Sequence, residues 1–178
     1  MPKAKQPSSL DITLMPYQLQ GLQWLLESES PTLPTNRGDI VQLWKRSPEH
    51  RDCFINIATL LTVKEPPKLA SGGILADDMG LGKTVQMISL ILTDNERKGG
   101  SGSDNGATLI VAPLSVMSNW EQQIKLHVKA ENALKVYRYH GSGRKGNFLG
   151  YDVVITSYGK LIGSNLFIYF ITGAKTGT

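Results

Sequence analysis

With 178 residues, 40% of them hydrophobic and 19% charged, the chain has about the length of one domain and enough apolar side chains for a core, which excludes a fully disordered polypeptide. Lys and Arg outnumber Asp and Glu by 19 to 15, a formal charge of +4 that suits an anionic partner such as nucleic acid without specifying one. Cys53 is the single cysteine, so an intrachain disulfide and a multi-cysteine zinc site are excluded and a reducing compartment is the natural reading.

Residues 1–10, MPKAKQPSSL, lack the apolar core of a secretory signal and read as a disordered basic tail. From Asp11 to Glu29 the spacing predicts a helix: Asp11 and Thr13 can cap, Pro16 suits a first turn, and Leu19, Leu22, Leu25 and Leu26 recur at helical spacing. Five prolines then punctuate residues 31–70, which read as an insertion with one short helix in its periodic stretch, Phe54 to Val63. Gly73-Ile74-Leu75-Ala76 predicts a strand, and Thr84 to Leu92 (TVQMISLIL) has helical length and composition. Gly99 to Gly106 is a flexible loop by composition, and Thr108 to Ala112 (TLIVA) is a strand of the buried kind.

Val116, Trp120, Ile124 and Val128 line one face of a helix over Ser115 to Lys129, with Ser115 or Ser118 available as its cap and Trp120 read as core. Leu134 to Tyr139 and Asp152 to Thr156 predict two more strands around the basic turn GSGRKGN. Strands alternating with helices imply an α/β fold with a parallel sheet and flanking helices. No stretch approaches the roughly 20 apolar residues of a membrane helix, and Leu166 to Ile171 (LFIYFI) is far too short. Its uncharged, β-prone character marks an aggregation hazard.

The residues richest in chemistry are Asp77-Asp78-Met79-Gly80-Leu81-Gly82-Lys83-Thr84. A strand that ends in a Gly-rich turn and opens a helix aims free N–H groups and the positive end of the helix dipole at one spot. Gly80 and Gly82 let the backbone approach phosphate oxygens, Lys83 supplies a point charge, and the Thr84 hydroxyl suits Mg²⁺. These are the parts of a P-loop NTPase site, although Asp77 stands where the G-x-x-x-x-G-K-[ST] pattern has its first Gly.

At GGILADDMGLGKT the sequence resembles the helicase-like ATPases of the Swi/Snf family, in helicase superfamily two, whose first motif carries Asp at that position. Three further blocks agree in order: LMPYQLQGLQWLL, TLIVAPLSVMSNW and DVVITSYGKL. The insertion with Leu43-Trp44 and the wording APLSVMSNW look most like the branch of the helicase-like transcription factor and its fungal post-replication-repair relatives. The resemblance implies a partial RecA-like lobe over residues 11–160, with residues 161–178 a divergent tail. It implies ATP and Mg²⁺ as cofactors, with Gln18 reading the adenine edge and Gly80, Leu81, Gly82, Lys83 and Thr84 holding phosphates and metal. It also implies double-stranded DNA as partner, along Pro113, Leu114 and Ser115 and along Thr156, Ser157 and Tyr158, with chromatin or repair factors further partners and the nucleus as location.

A Gln amide offers one donor and one acceptor, the pattern that the N6/N7 edge of adenine requires. Hydroxyls and helix-start N–H groups are reasonable phosphate contacts, although Ser115 can equally cap its helix and Thr156-Ser157 can simply end a strand. Arg138, Arg144, Lys145, Lys125 and Lys129 read as a solvated charged face. Phosphoryl transfer to water in this class needs a carboxylate pair, carried in family members as Asp-Glu, and the sequence contains no Asp-Glu dipeptide. The expectation is therefore the ATP-binding lobe of a DNA-dependent ATPase, truncated before that motif. The alternative is a nucleotide- or DNA-binding piece without turnover. An unrelated P-loop kinase or transporter ATPase leaves the Gln18 block and the DVVITSY block unexplained.

Overall fold

The computed structural model describes residues 2–36, 38–50, 52–99, 106–141, 148 and 150–162. Within them, helix α1 (Pro16–Glu29) is followed by three short strands, β1 (Trp44–Arg46), β2 (Phe54–Asn56) and β3 (Thr62–Val63). Helix α2 (Lys83–Lys98), strand β4 (Thr108–Val111), helix α3 (Leu114–His127), strands β5 (Val136–Tyr139) and β6 (Val153–Thr156) and the short helix α4 (Tyr158–Ile162) complete the order. The turn GSGRKGN beyond Gly141, the centre of the loop after Gly99, and the tail with LFIYFI lie outside the described residues.

The expected parallel sheet forms from β4, β6 and β5, in that order, with β6 in the middle. Val153 pairs with Thr108 on one side and Val136 on the other, and Thr156 with Val111 and Tyr139. All four residues of β6 are buried, as a continuous apolar run in the centre of a parallel sheet requires. Because β4 and β6 are in step, their C-terminal ends stop level with each other, and Ala112 N donates to Thr156 O at 2.9 Å.

Leu22 and Leu25 of α1, Ile88, Ile91 and Leu92 of α2, Met117 and Ile124 of α3, and Val153 and Ile155 of β6 share one buried cluster, with Trp120 packed against it. Each such side chain contributes about 1.5–3 kcal/mol relative to exposure. Helix α2 lies between α1 and α3, and two of its polar residues, Gln86 and Ser89, are buried. Ser89 resolves the conflict by donating its hydroxyl to Val85 O at 2.8 Å. Gly99, at φ 98°, ends the helix with its N–H on Asn95 O.

Four local expectations are corrected. Residues 2–10 are not a disordered tail: Ala4 and Leu10 join the core, Ala4 N donates to Leu19 O, and Glu96 Oε1 accepts from Ser9 N at 2.9 Å, Ser9 Oγ at 2.7 Å and Ser8 Oγ at 2.9 Å. The helix starts at Pro16, not Asp11; the segment before it is extended, with Leu10 bridged to Val128 and Asp11 N donating to His127 O at 2.8 Å. Residues 31–70 carry an antiparallel meander in place of a short helix. Phe54 and Trp44 favour strands, the Arg46 guanidinium stacks on Phe54 at 5.0 Å, and the Gln42 amide pairs with Ala70 N and O at 2.7 and 2.6 Å to close the base. Neither Ser115 nor Ser118 caps α3, whose N-cap is Pro113 with no side-chain bond.

Burial pushes the Glu96 carboxyl up, but the bonds from Ser9 and Ser8 outweigh it and hold it below the ordinary value. A depressed carboxylate stabilises the fold above its unfolded pKa, and that stabilisation is lost as pH falls through the folded one. Ser9→Ala is expected to lower stability by about 1 kcal/mol at pH 7. Urea unfolding of both proteins checks this, and the difference should narrow at about pH 3, where the unfolded carboxyl is protonated.

Candidate functional site

The turn before α2 is built on two glycines in the left-handed region. Gly80 and Gly82 sit at φ 88° and 76°, where a side chain is strained. Gly82 is the N-cap of α2, no side chain caps the helix, and no acidic residue stands in its first turn. The free N–H groups at the helix start and the dipole's positive end therefore meet no internal counter-charge from that turn. Leu81 is exposed, and Thr84 is half-buried at the second helical position.

The Lys83 ammonium donates to Asp77 O at 2.6 Å and Asp78 O at 2.9 Å. Its charge is thus parked on two neutral carbonyls of its own loop, which charged oxygens can outbid. The strand expected at residues 73–76 does not form. Gly72 N donates to Ser28 O at 2.7 Å, and the Trp24 ring lies over Gly73, where a Cβ would come within 2.7 Å of Cη2. The segment is therefore held by α1, and Ile74 remains 86% exposed. A strand exists only through its ladder, and no strand among the described residues pairs with it.

Helix α1 also reaches the far side of the turn. Gln18 Oε1 accepts from Met15 N at 2.9 Å, and Nε2 donates to Leu81 O at 3.3 Å. Gln18 and the glycine-rich loop, distant in sequence, are brought together. Gly82 has no room for a Cβ because the Gln18 amide occupies that space.

The second group of predicted residues divides. Pro113, Leu114 and Ser115, at the start of α3, are exposed, as is Tyr158, while Ser157 is half-buried. The in-step ends of β4 and β6 put these two stretches side by side at the C-terminal edge of the sheet, where α/β sheets commonly carry ligands. Thr156 is corrected: it is 0% exposed and its hydroxyl donates to Tyr139 O at 3.1 Å, so its side chain is closed to a ligand here. Arg138 lies 3.7 Å from Glu121, and Arg144 and Lys145 lie outside the described residues.

Sequence reasoning missed Gly21, Gly73 and Gln86, which fix how closely α1 lies on the loop. The one available signal was a glycine inside a helical pattern, which costs about 1 kcal/mol relative to Ala and so points to a packing reason.

A family model described as SNF2-related domain matches residues 17–171. The curated DNA repair protein RAD5B of Arabidopsis thaliana is 31% identical over 87% of this chain and 15% of its own length. The DNA repair protein rad5 of Aspergillus fumigatus is 28% identical over 91% of this chain and 17% of its own length. The fold is similar to a solved Sulfolobus solfataricus SWI2/SNF2 ATPase core in complex with dsDNA, at TM-score 0.58 and 23% identity, covering 92% of this chain and 25% of that one. The chain thus spans well under a quarter of the length of these two relatives.

Gly80 has open space where a Cβ would stand, and Gly82 does not. Gly80→Ala is expected to cost only the backbone strain, about 1 kcal/mol, and Gly82→Ala more than that, since the Gln18 amide must also move. Denaturant unfolding of the two variants checks the order.

Proposed function

The chain belongs to the SNF2-related domain family, and we propose that it is the ATP-binding first lobe of a DNA-dependent ATPase acting on double-stranded DNA in repair or chromatin remodelling, in the nucleus. The observation that carries the reading is the turn from Gly80 to Thr84, which opens α2 with free N–H groups, no acidic residue in the first helical turn, and a lysine whose ammonium donates to two carbonyls of the same loop.

The donor set fits a polyphosphate. Backbone N–H groups at Gly80, Leu81, Gly82 and the start of α2 accommodate phosphate oxygens, and Lys83 exchanges two neutral acceptors for charged ones. The Thr84 hydroxyl is the one metal ligand assigned here, for Mg²⁺. When bound, the magnesium nucleotide supplies the phosphoryl group whose transfer to water drives the family's chemistry. Gln18, released from Leu81 O, presents a donor and an acceptor together, as the adenine edge requires.

The C-terminal edge of the sheet is the proposed DNA side. Pro113, Leu114 and Ser115 offer the start of α3 and a hydroxyl, and Ser157 and Tyr158 add hydroxyls from the end of β6. Thr156 contributes by holding β6 to Tyr139, as a support beneath the surface. The relative solved with dsDNA and the relatives named for DNA repair support DNA as the partner.

A second reading concerns turnover, and a specific observation favours it. Hydrolysis needs an oriented water and compensation of charge on the transferring group, and these 178 residues contain no Asp-Glu pair. The chain taken alone is therefore proposed to bind nucleotide or DNA without appreciable hydrolysis.

Lys83→Ala removes charge-assisted contacts worth about 1.5–3 kcal/mol, so ATP affinity should fall about tenfold to a hundredfold. Titration calorimetry with MgATP checks it, and equal dissociation constants would remove the phosphate role. A phosphate-release assay with saturating duplex DNA separates the two readings: the account expects background turnover, and DNA-stimulated release abolished in Lys83→Ala would show a competent ATPase.

A further inference from the structure

Helices α1 and α2 meet through two reciprocal pairs, each a glycine against a glutamine. Gln18 and Gly21 lie three apart on one face of α1. Gly82 and Gln86 bracket the first turn of α2, where Gln86 N donates to Gly82 O at 3.0 Å. Gln18 occupies the space over Gly82, and Gln86 occupies the space over Gly21, so that a Cβ at either glycine would overlap the facing amide.

The two amides differ in their bonding. Gln18 is engaged at both ends, on Met15 N and Leu81 O. Gln86 is 0% exposed, and among the described residues neither its Nε2 nor its Oε1 has a hydrogen-bond partner. A buried amide without partners is costly, and its polarity serves nothing in this contact. What the contact uses is its length, which fills the gap left by Gly21 and fixes the separation of the helices one turn from the phosphate loop.

We propose that Gly21 and Gln86 are positioning residues: their contact sets the height of Gln18 over Gly82 and thereby the preference for adenine over other bases. The inference rests on the proposed reading of Gln18. A methyl at position 21 must displace either α1 or the Gln86 side chain, and Gln86 has no solvent to turn into. Gln18 rides on the same face one turn away and moves with α1. Phosphate contacts come from the loop and the start of α2 and do not pass through Gly21.

The test is the ratio of GTP to ATP dissociation constants, with inorganic tripolyphosphate as the base-free probe, measured by calorimetry on the 178-residue chain and its variants. Gly21→Ala should lower the ratio about threefold to tenfold, the worth of one or two neutral hydrogen bonds, with tripolyphosphate affinity unchanged. Gly21→Ala combined with Gln86→Ala returns the lost space and should restore the ratio, and Gln86→Met, which keeps length without the amide, should preserve it. A merely structural role would lower all three affinities together in Gly21→Ala, and that result overturns the inference, as does an unchanged ratio. Should Gly21→Ala fail to fold, Gln86→Ala and Gln86→Met decide: a ratio lowered in Gln86→Ala, which removes the length, and retained in Gln86→Met, which keeps it, upholds the inference, and an equal ratio in the two overturns it. Gln18→Ala separates the two levels. A ratio that falls in Gln18→Ala but not in Gly21→Ala leaves the Gln18 reading standing without the inference, and a ratio unmoved in Gln18→Ala removes both.

Discussion

The close approach of α1 to the glycine-rich loop before α2 is the constraint on which the rest of the molecule depends. It is made at three glycines where a side chain has no room: Gly73 under Trp24, Gly82 under Gln18, and Gly21 against Gln86. The helix therefore grips the loop on its way in and on its way out, and Gly72 N on Ser28 O ties the entry further. The apolar side of the same helix buries Leu22 and Leu25 beside Ile88 and Leu92 of α2. Packing that orders the core thus also sets how α1 lies over the loop, so a change in helix spacing moves Gln18 relative to Gly82, because close-packed interiors transmit displacement.

Electrostatics completes what packing begins. The helix start and Lys83 concentrate positive charge at one point, and in this state that charge is answered by the carbonyls of Asp77 and Asp78. Neutral acceptors hold an ammonium in place without neutralising it. For the proposed polyphosphate, Lys83 would exchange these two carbonyls for charged oxygens. At the other end of α2, Glu96 anchors the N-terminal segment through Ser8 and Ser9, so the helix that carries the loop is fixed at its far end too.

Much of the architecture was legible in the sequence because burial leaves a plain mark there. TLIV and VVIT are continuous apolar runs and form adjacent parallel strands, and the Gly-Leu-Gly-Lys-Thr turn opens a helix as its residue types demand. Contacts that carry no periodicity were not legible. The N-terminal segment is held by backbone bonds and by Glu96, 87 residues from Ser9, and no local pattern announces such a partner. The meander is built of strands of three, three and two residues, too short to show alternation. Residues 73–76 have strand composition, but composition cannot say whether a neighbour will pair, and α1 holds the segment on its own side. Thr156 shows the same limit at the sheet edge, where a hydroxyl fit for phosphate is turned to a carbonyl across the strand.

The central claim, that the loop from Gly80 to Thr84 receives a polyphosphate beneath the start of α1, is tested most directly by amide hydrogen exchange of the chain with and without MgATP. The account predicts slowed exchange confined to residues 79–86 and to the first turn of α1, because the free N–H groups of the loop gain acceptors while Gln18 is pinned in place. Nucleotide-dependent protection elsewhere with residues 79–86 unchanged, or no protection at saturating MgATP, would contradict it.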